Sequence, residues 1–139
     1  MAANPQYAGD PISAFAVLAT ANLNRDGVTG AIVTAYTFRA ANVGGKGGRL
    51  DTLTITAGSA AVTVAGNVLF FVNNVLLREI AITAITPTAT VKGYLIPASE
   101  GANVNGVLIL DHIFAPGDVI KFLVTTTQAL TARVTGGEY

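Results

Sequence analysis

The stretch VLFFVNNVLLREIAITAITPTAT, residues 68–90, constrains the fold of this chain more than any other. Two runs of β-prone apolar residues flank Asn73-Asn74, and Asn is one of the few residues that tolerates the left-handed backbone of a tight turn. The stretch therefore reads as a β-hairpin, closed by a turn at Pro87. Strand side chains alternate between faces, so the neighbouring charges Arg78 and Glu79 must point to opposite sides. One charge per face in an otherwise oily strand suits the centre of a two-layer β-protein or a subunit contact. Arg78 and Glu79 are accordingly candidate interface residues.

The same shortage of charge runs through the whole sequence. Charged side chains make up 12% of the 139 residues, against about 25% in an ordinary soluble domain. A small domain has a large surface to cover, and so few charges cover it poorly. Thr, Asn and Gly fill part of the deficit; burial against other copies is expected to fill the larger part. Eight basic and eight acidic residues cancel, with none of the clustering of Lys and Arg by which nucleic-acid binders neutralise phosphates. The longest apolar run is broken by Arg78 and Glu79 well short of the roughly 18 residues of a spanning helix, so no membrane partner is expected. Cysteine is absent, which removes disulfides, thiolate nucleophiles and cysteine-held metals. No secretory signal is expected in MAANPQYAGDP, which lacks a basic and an apolar segment.

Read in order, residues 1–11 form an extended N-terminal arm, polar and turn-prone around Asn4-Pro5 and Asp10-Pro11. Asn4, Pro5 and Tyr7 are its candidate contact residues. Residues 12–139 read as one β-sandwich domain. ISAFAVLATA is taken as a strand, NLNRDG as a tight turn, and residues 31–39 as a strand with Ile32, Thr34, Tyr36 and Phe38 on one face. The segment AANVGGKGGR reads as the most flexible in the chain. Residues 50–57 alternate Leu53, Ile55 and Ala57 against Thr52, Thr54 and Thr56. A short strand over 61–65, a turn at Gly66-Asn67, the hairpin, an alternating run over 90–96, a polar loop over 97–106 and strands over 107–115, 119–127 and 130–135 complete the series. Gly136 to Tyr139 read as a tail. The spacing predicts an all-β, single-domain jelly roll or β-sandwich of about 8–10 antiparallel strands.

Candidate chemistry is sparse. His112 is the sole histidine and follows Asp111 in an apolar strand, where neighbours diverge and cannot act as a coupled pair. A structural or interface role is assigned to it. GGKGGR lacks the Ser or Thr and the following helix of a phosphate loop. The carboxylates are dispersed, without the spacing of a glycosidase pair or a calcium loop. The tyrosines are scattered and assigned to packing. No catalytic, cofactor or metal residue is expected, and the chain reads as a non-enzyme.

The fragments NLNRDGVTGAIVTAYTFRAAN, GGRLDTLTI, LFFVNNVLLREIAITAITPTATV and APGDVIKFLVTTTQALTARVTGGEY resemble small β-proteins encoded among the structural genes of tailed bacteriophages. The resemblance runs from about Leu23 onward. It is carried best by Arg78-Glu79-Ile80 leading into Thr86-Pro87-Thr88-Ala89-Thr90, and by Asn24-Arg25-Asp26-Gly27. It implies a jelly-roll virion protein, made in the host cytoplasm and placed on the phage head surface. Such a capsid decoration or cement protein is expected to trimerise and to bind the major capsid protein or another virion protein. A tail, baseplate or fibre-attachment subunit of the same fold is one alternative. A carbohydrate-binding jelly roll is another, although Trp is absent and Asn103 and Asn105 have no aromatic neighbour in sequence.

Overall fold

The computed structural model describes residues 9–57, 62, 64–126 and 129–139. Eight strands are present: β1 (Asp10–Leu18), β2 (Val33–Thr37), β3 (Gly48–Ala57), β4 (Gly66–Val72), β5 (Val75–Ile82), β6 (Val107–Phe114), β7 (Val119–Val124) and β8 (Leu130–Glu138). They form two four-stranded antiparallel sheets, ordered β1-β8-β3-β6 and β2-β7-β4-β5. The pairs β1 with β8, β2 with β7, β3 with β6 and β4 with β5 are nested one inside the next. The chain is thus one long antiparallel ribbon whose tip is the Asn73-Asn74 turn, rolled up so that β8 also meets β3 and β7 also meets β4. This nesting is the jelly-roll arrangement, and it confirms the fold class read from the spacing of turns.

The tip forms where it was expected, with Asn73 at φ 57°. The two sheets close over Ile12, Leu53, Ile55, Val68, Phe70, Ile80, Phe114, Ile120, Phe122 and Val134. Phe70 stacks on Phe122 with ring centres 5.0 Å apart and meets Phe114 edge-on at 6.4 Å. Emptying such a site, as in Phe70→Ala, typically costs about 3–5 kcal/mol.

Strict alternation fails at four places, one of them Asp51, an extra residue of β3 opposite β8. β2 carries an extra residue, Ala35, opposite β7, so Ile32 and Phe38 lie on opposite faces of the sheet instead of sharing one. Ile32 packs on the outer side, and Phe38 is in the main core. β5 bulges at Leu77 against β4. In β6 two residues, Leu110 and Asp111, stand opposite Asp51 of β3, and Asp111 takes the left-handed φ of 45°.

Other boundaries also moved. β1 begins at Asp10, because Asp10 and Pro11 pair with Glu138 and Gly137; these two residues belong to the sheet, and residues 1–8 of the expected arm lie outside those described. Gly66 and Asn67 open β4, and Gly136 to Glu138 extend β8. Residues 90–96 are not a strand: only an isolated bridge joins Thr56 to Tyr94, and Leu95 donates its N–H to Ile55. Of the run 61–65, Val62 makes an isolated bridge to Ile85; residues 61 and 63 lie outside those described. Segment 40–49 holds a short 3-10 turn, Ala41–Val43, and closely approached glycines. A Cβ on Gly45 would lie 1.9 Å from the Arg39 carbonyl oxygen and one on Gly47 2.2 Å from that of Phe114. Gly45 and Gly47 thus admit neighbouring backbone, whereas residues 40–44 and Lys46 are exposed and Gly44 has open space around it. Among the described residues no helix is long and apolar enough to cross a membrane.

Candidate functional site

The singled-out residues do not converge. Asn4, Pro5 and Tyr7 lie outside the described residues. Arg78 and Glu79 do point to opposite faces, but β5 is the edge strand of its sheet, so the placement at the centre of the sandwich is corrected. The strand buried on both faces is its neighbour β4, where Val68 and Phe70 face the main core and Leu69 and Phe71 the outer side. Arg78 donates from Nη2 to the Glu100 carbonyl oxygen at 3.3 Å, anchoring the loop between β5 and β6. His112 lies exposed on the opposite edge strand, β6, with its ring 4.8 Å from that of Phe114. Asp111 turns instead toward Arg49, 3.7 Å away.

Glu79 leads to a feature the sequence concealed. Arg25 grips it with two hydrogen bonds, of 3.0 and 2.5 Å. Those bonds, with the charge attraction behind them, lower the Glu79 pKa and raise that of Arg25. Arg25 belongs to residues 19–32, which lie across the outer side of the second sheet. Beneath them Leu69, Phe71 and Leu123 form a second buried cluster, flanked by Ile32 and Leu76. Asn22 is the post of this covering loop. It is 4% exposed, its Nδ2 donates to the carbonyls of Thr29 and Ala31, and its Oδ1 accepts from the Asn24 N–H and Nδ2.

NLNRDG is therefore part of a long cover and not a two-residue turn, although Asp26-Gly27 does bend as its composition suggests. Asp26 accepts from the Thr29 hydroxyl, the Thr29 N–H and the Val28 N–H. These bonds hold its pKa at about 2. Because that value is depressed, the stabilisation is present above the ordinary carboxylate range and is lost as pH falls through about 2.

At the end of the sandwich where Asp10 pairs with Glu138, Glu138 is 6% exposed. Its carboxylate accepts from the Tyr36 hydroxyl and, at 2.8 Å, from the Arg39 N–H. Arg39 in turn pairs with Asp10 at 2.8 Å. Glu138 is in the first sheet and Tyr36 in the second, so the bond is a polar tie between layers. Burial, and then the neighbouring carboxylate, push the Tyr36 pKa up to about 12. The signal was present in the sequence: the alternation Leu130, Ala132, Val134 continues through Gly136 to Glu138 and places it inside.

The same end is laced by the ribbon tip. Asn73 exchanges backbone and side-chain bonds with Val119, and its Nδ2 reaches Asp118 at 3.2 Å. Lys121 reaches Asn74 at 3.0 Å. Among the described residues no pocket opens and no group of three His, Asp or Glu side chains is placed to hold a metal. What the geometry of the described residues offers is a sandwich with one covered sheet face and one that they leave bare. Compared with protein-family models, with curated proteins and with solved structures, the chain matches none.

Proposed function

We propose that this chain is a non-enzymatic structural subunit of a tailed-phage virion, a decoration or cement protein that assembles as a homotrimer and binds the head shell. The observation that carries this reading is a jelly roll, tied at one end by Glu138 and Asn73, whose described residues form no cleft and leave one sheet face bare. Jelly rolls of this kind serve as shell-building domains in viruses. The resemblance of several fragments from about Leu23 onward to phage structural proteins points the same way.

The mechanism is linkage. A protein that binds the assembled shell and not its free subunits stabilises the shell by mass action, and engagement by several linked copies multiplies the effect through avidity. The test is a particle reconstruction with the copy number counted. Hundreds of copies on the head surface are expected. A small multiple of three or six at the tail would transfer the chain to the tail or baseplate role, and absence from the particle would end the virion reading.

A further inference from the structure

We infer that the outer face of the β1-β8-β3-β6 sheet is a self-docking surface whose occupant is the same face of a second copy of this chain. The inference stands on geometry and does not rest on the virion reading. The two sheets treat their outer faces differently. Residues 19–32 cover that of β2-β7-β4-β5 and bury Leu69, Phe71 and Leu123 beneath them. The other sheet has no such cover among the described residues, yet both its edges expose large apolar side chains beside the polar Ser13 of β1 and the Asp111 of β6 that pairs with Arg49. Phe15 is 65% and Val17 56% exposed on β1, Ile109 61% and Ile113 67% on β6.

The register fixes the pattern. Across the sheet run the rows Pro11, Gly137, Arg49, Ile113; then Ser13, Thr135, Thr52, Ile109; then Phe15, Arg133, Thr54, Val107; and last Val17, Thr131, Thr56. Threonine lies between two apolar margins, and its polar atoms are already engaged in part, since Thr52 and Thr135 bond to one another. Both arginines are held within the chain: Arg133 donates to the Ser13 hydroxyl at 2.7 Å, and Arg49 pairs with Asp51 at 2.7 Å.

A twofold axis parallel to the strands lays β1 over the partner's β6 and β8 over the partner's β3. Pro11 then meets the partner's Ile113 and Phe15 the partner's Val107, while Ile109 lies over the partner's Ser13. Arg133 falls over threonine and Arg49 over glycine, so no like charges are opposed. Four strands with about eight residues each present roughly 500 Å² a side. Doubled, that reaches the ~1,000 Å² that a biological contact should clear, at the weak end of the range.

Pairing through strand edges is disfavoured, because all four edge strands are blunted. β1 carries Pro11, β2 a bulge at Ala35, β5 a bulge at Leu77, and β6 the left-handed Asp111. A face that docks on itself closes with two copies, and combined with a threefold axis it gives six.

Light scattering of the full chain at up to about 100 μM tests this, a concentration at which a contact of this size associates. An even-numbered oligomer is expected: a dimer, or six copies where the proposed trimers pair through this face. Phe15→Asp with Ile109→Asp should weaken it at least ~100-fold, because each copy then buries two unpaired carboxylates. A wild-type monomer, a closed trimer, or a variant that keeps the oligomer overturns the inference. The trimer result would leave the decoration reading standing. Should the double variant lose its β-sheet circular dichroism, Thr54→Cys decides, as the natural chain has no cysteine. A short bismaleimide then links Thr54→Cys into a covalent dimer and leaves Ala81→Cys, on the other sheet, unlinked; failure to link Thr54→Cys overturns the inference.

Discussion

Glu138 sits next to the last residue of the chain and yet is among the most constrained side chains in it. A buried carboxylate is costly unless hydrogen-bonded, and here both oxygens accept, one from Tyr36 and one from Arg39. Glu138→Ala leaves the Tyr36 hydroxyl and the Arg39 N–H without their acceptor, so a loss of about 1–3 kcal/mol is expected in a urea titration. Tyr36 supplies an independent readout. Its pKa is raised to about 12, from an ordinary value near 10. The stabilisation is therefore intact below pH ~10 and declines as pH rises toward ~12. In Glu138→Gln the carboxylate's share of that shift disappears, and the phenolate absorbance should titrate at lower pH, with the part due to burial remaining. An unchanged midpoint would show that Glu138 does not govern Tyr36.

The elements show why local pattern carried some of this structure and missed the rest. The alternation of β3, the Asn73 turn and the apolar β7 were all legible, because each is set by neighbours in sequence. The face assignment of β2 was not, since one bulged residue reverses every side chain after it and the bulge is defined by β7, over 80 residues away in the chain. Residues 19–32 were missed for a related reason. Leu69, Phe71 and Leu123 reveal an outer cluster only when β4 and β7 are neighbours, so nothing near NLNRDG announces what it covers. Asn22 is the exception, being the polar side chain on which the cover hangs. Asn22→Ala frees the Thr29 and Ala31 carbonyls at about 1–3 kcal/mol. Hydrogen exchange should quicken first in residues 22–32, with amides of β4 and β7 still slow. Equal quickening throughout would mean that the cover and the sandwich open as one unit.

For the molecule as a whole, the nested ribbon makes the C-terminal strand the closing piece. β8 lies between β1 and β3, pairing with both along nearly its full length. No complete first sheet exists without it, and the contacts that hold it are the most distant in sequence that the chain can make. Folding is therefore expected on the slow, millisecond-to-second scale of β-sandwiches. Residues 136–139 resemble a dispensable tail by composition, but Gly136 to Glu138 continue the central strand. A Cβ on Gly136 would lie 2.0 Å from the Arg49 carbonyl oxygen, so the strand closes there because the residue is glycine. A chain ended at Thr135 loses the Glu138 tie and the pairing partners of Asp10, Pro11 and Gly48 in one step. Each kcal/mol lost lowers Tm by roughly 2–8 °C in a domain near this size. The loss of about 3 kcal/mol or more expected from one unsatisfied pair together with several broken ladder bonds should thus lower Tm by at least ~6 °C. Calorimetry of that truncated chain checks the claim: a Tm within a few degrees of the full chain would mean that the sandwich is closed by β8 as far as Thr135 alone.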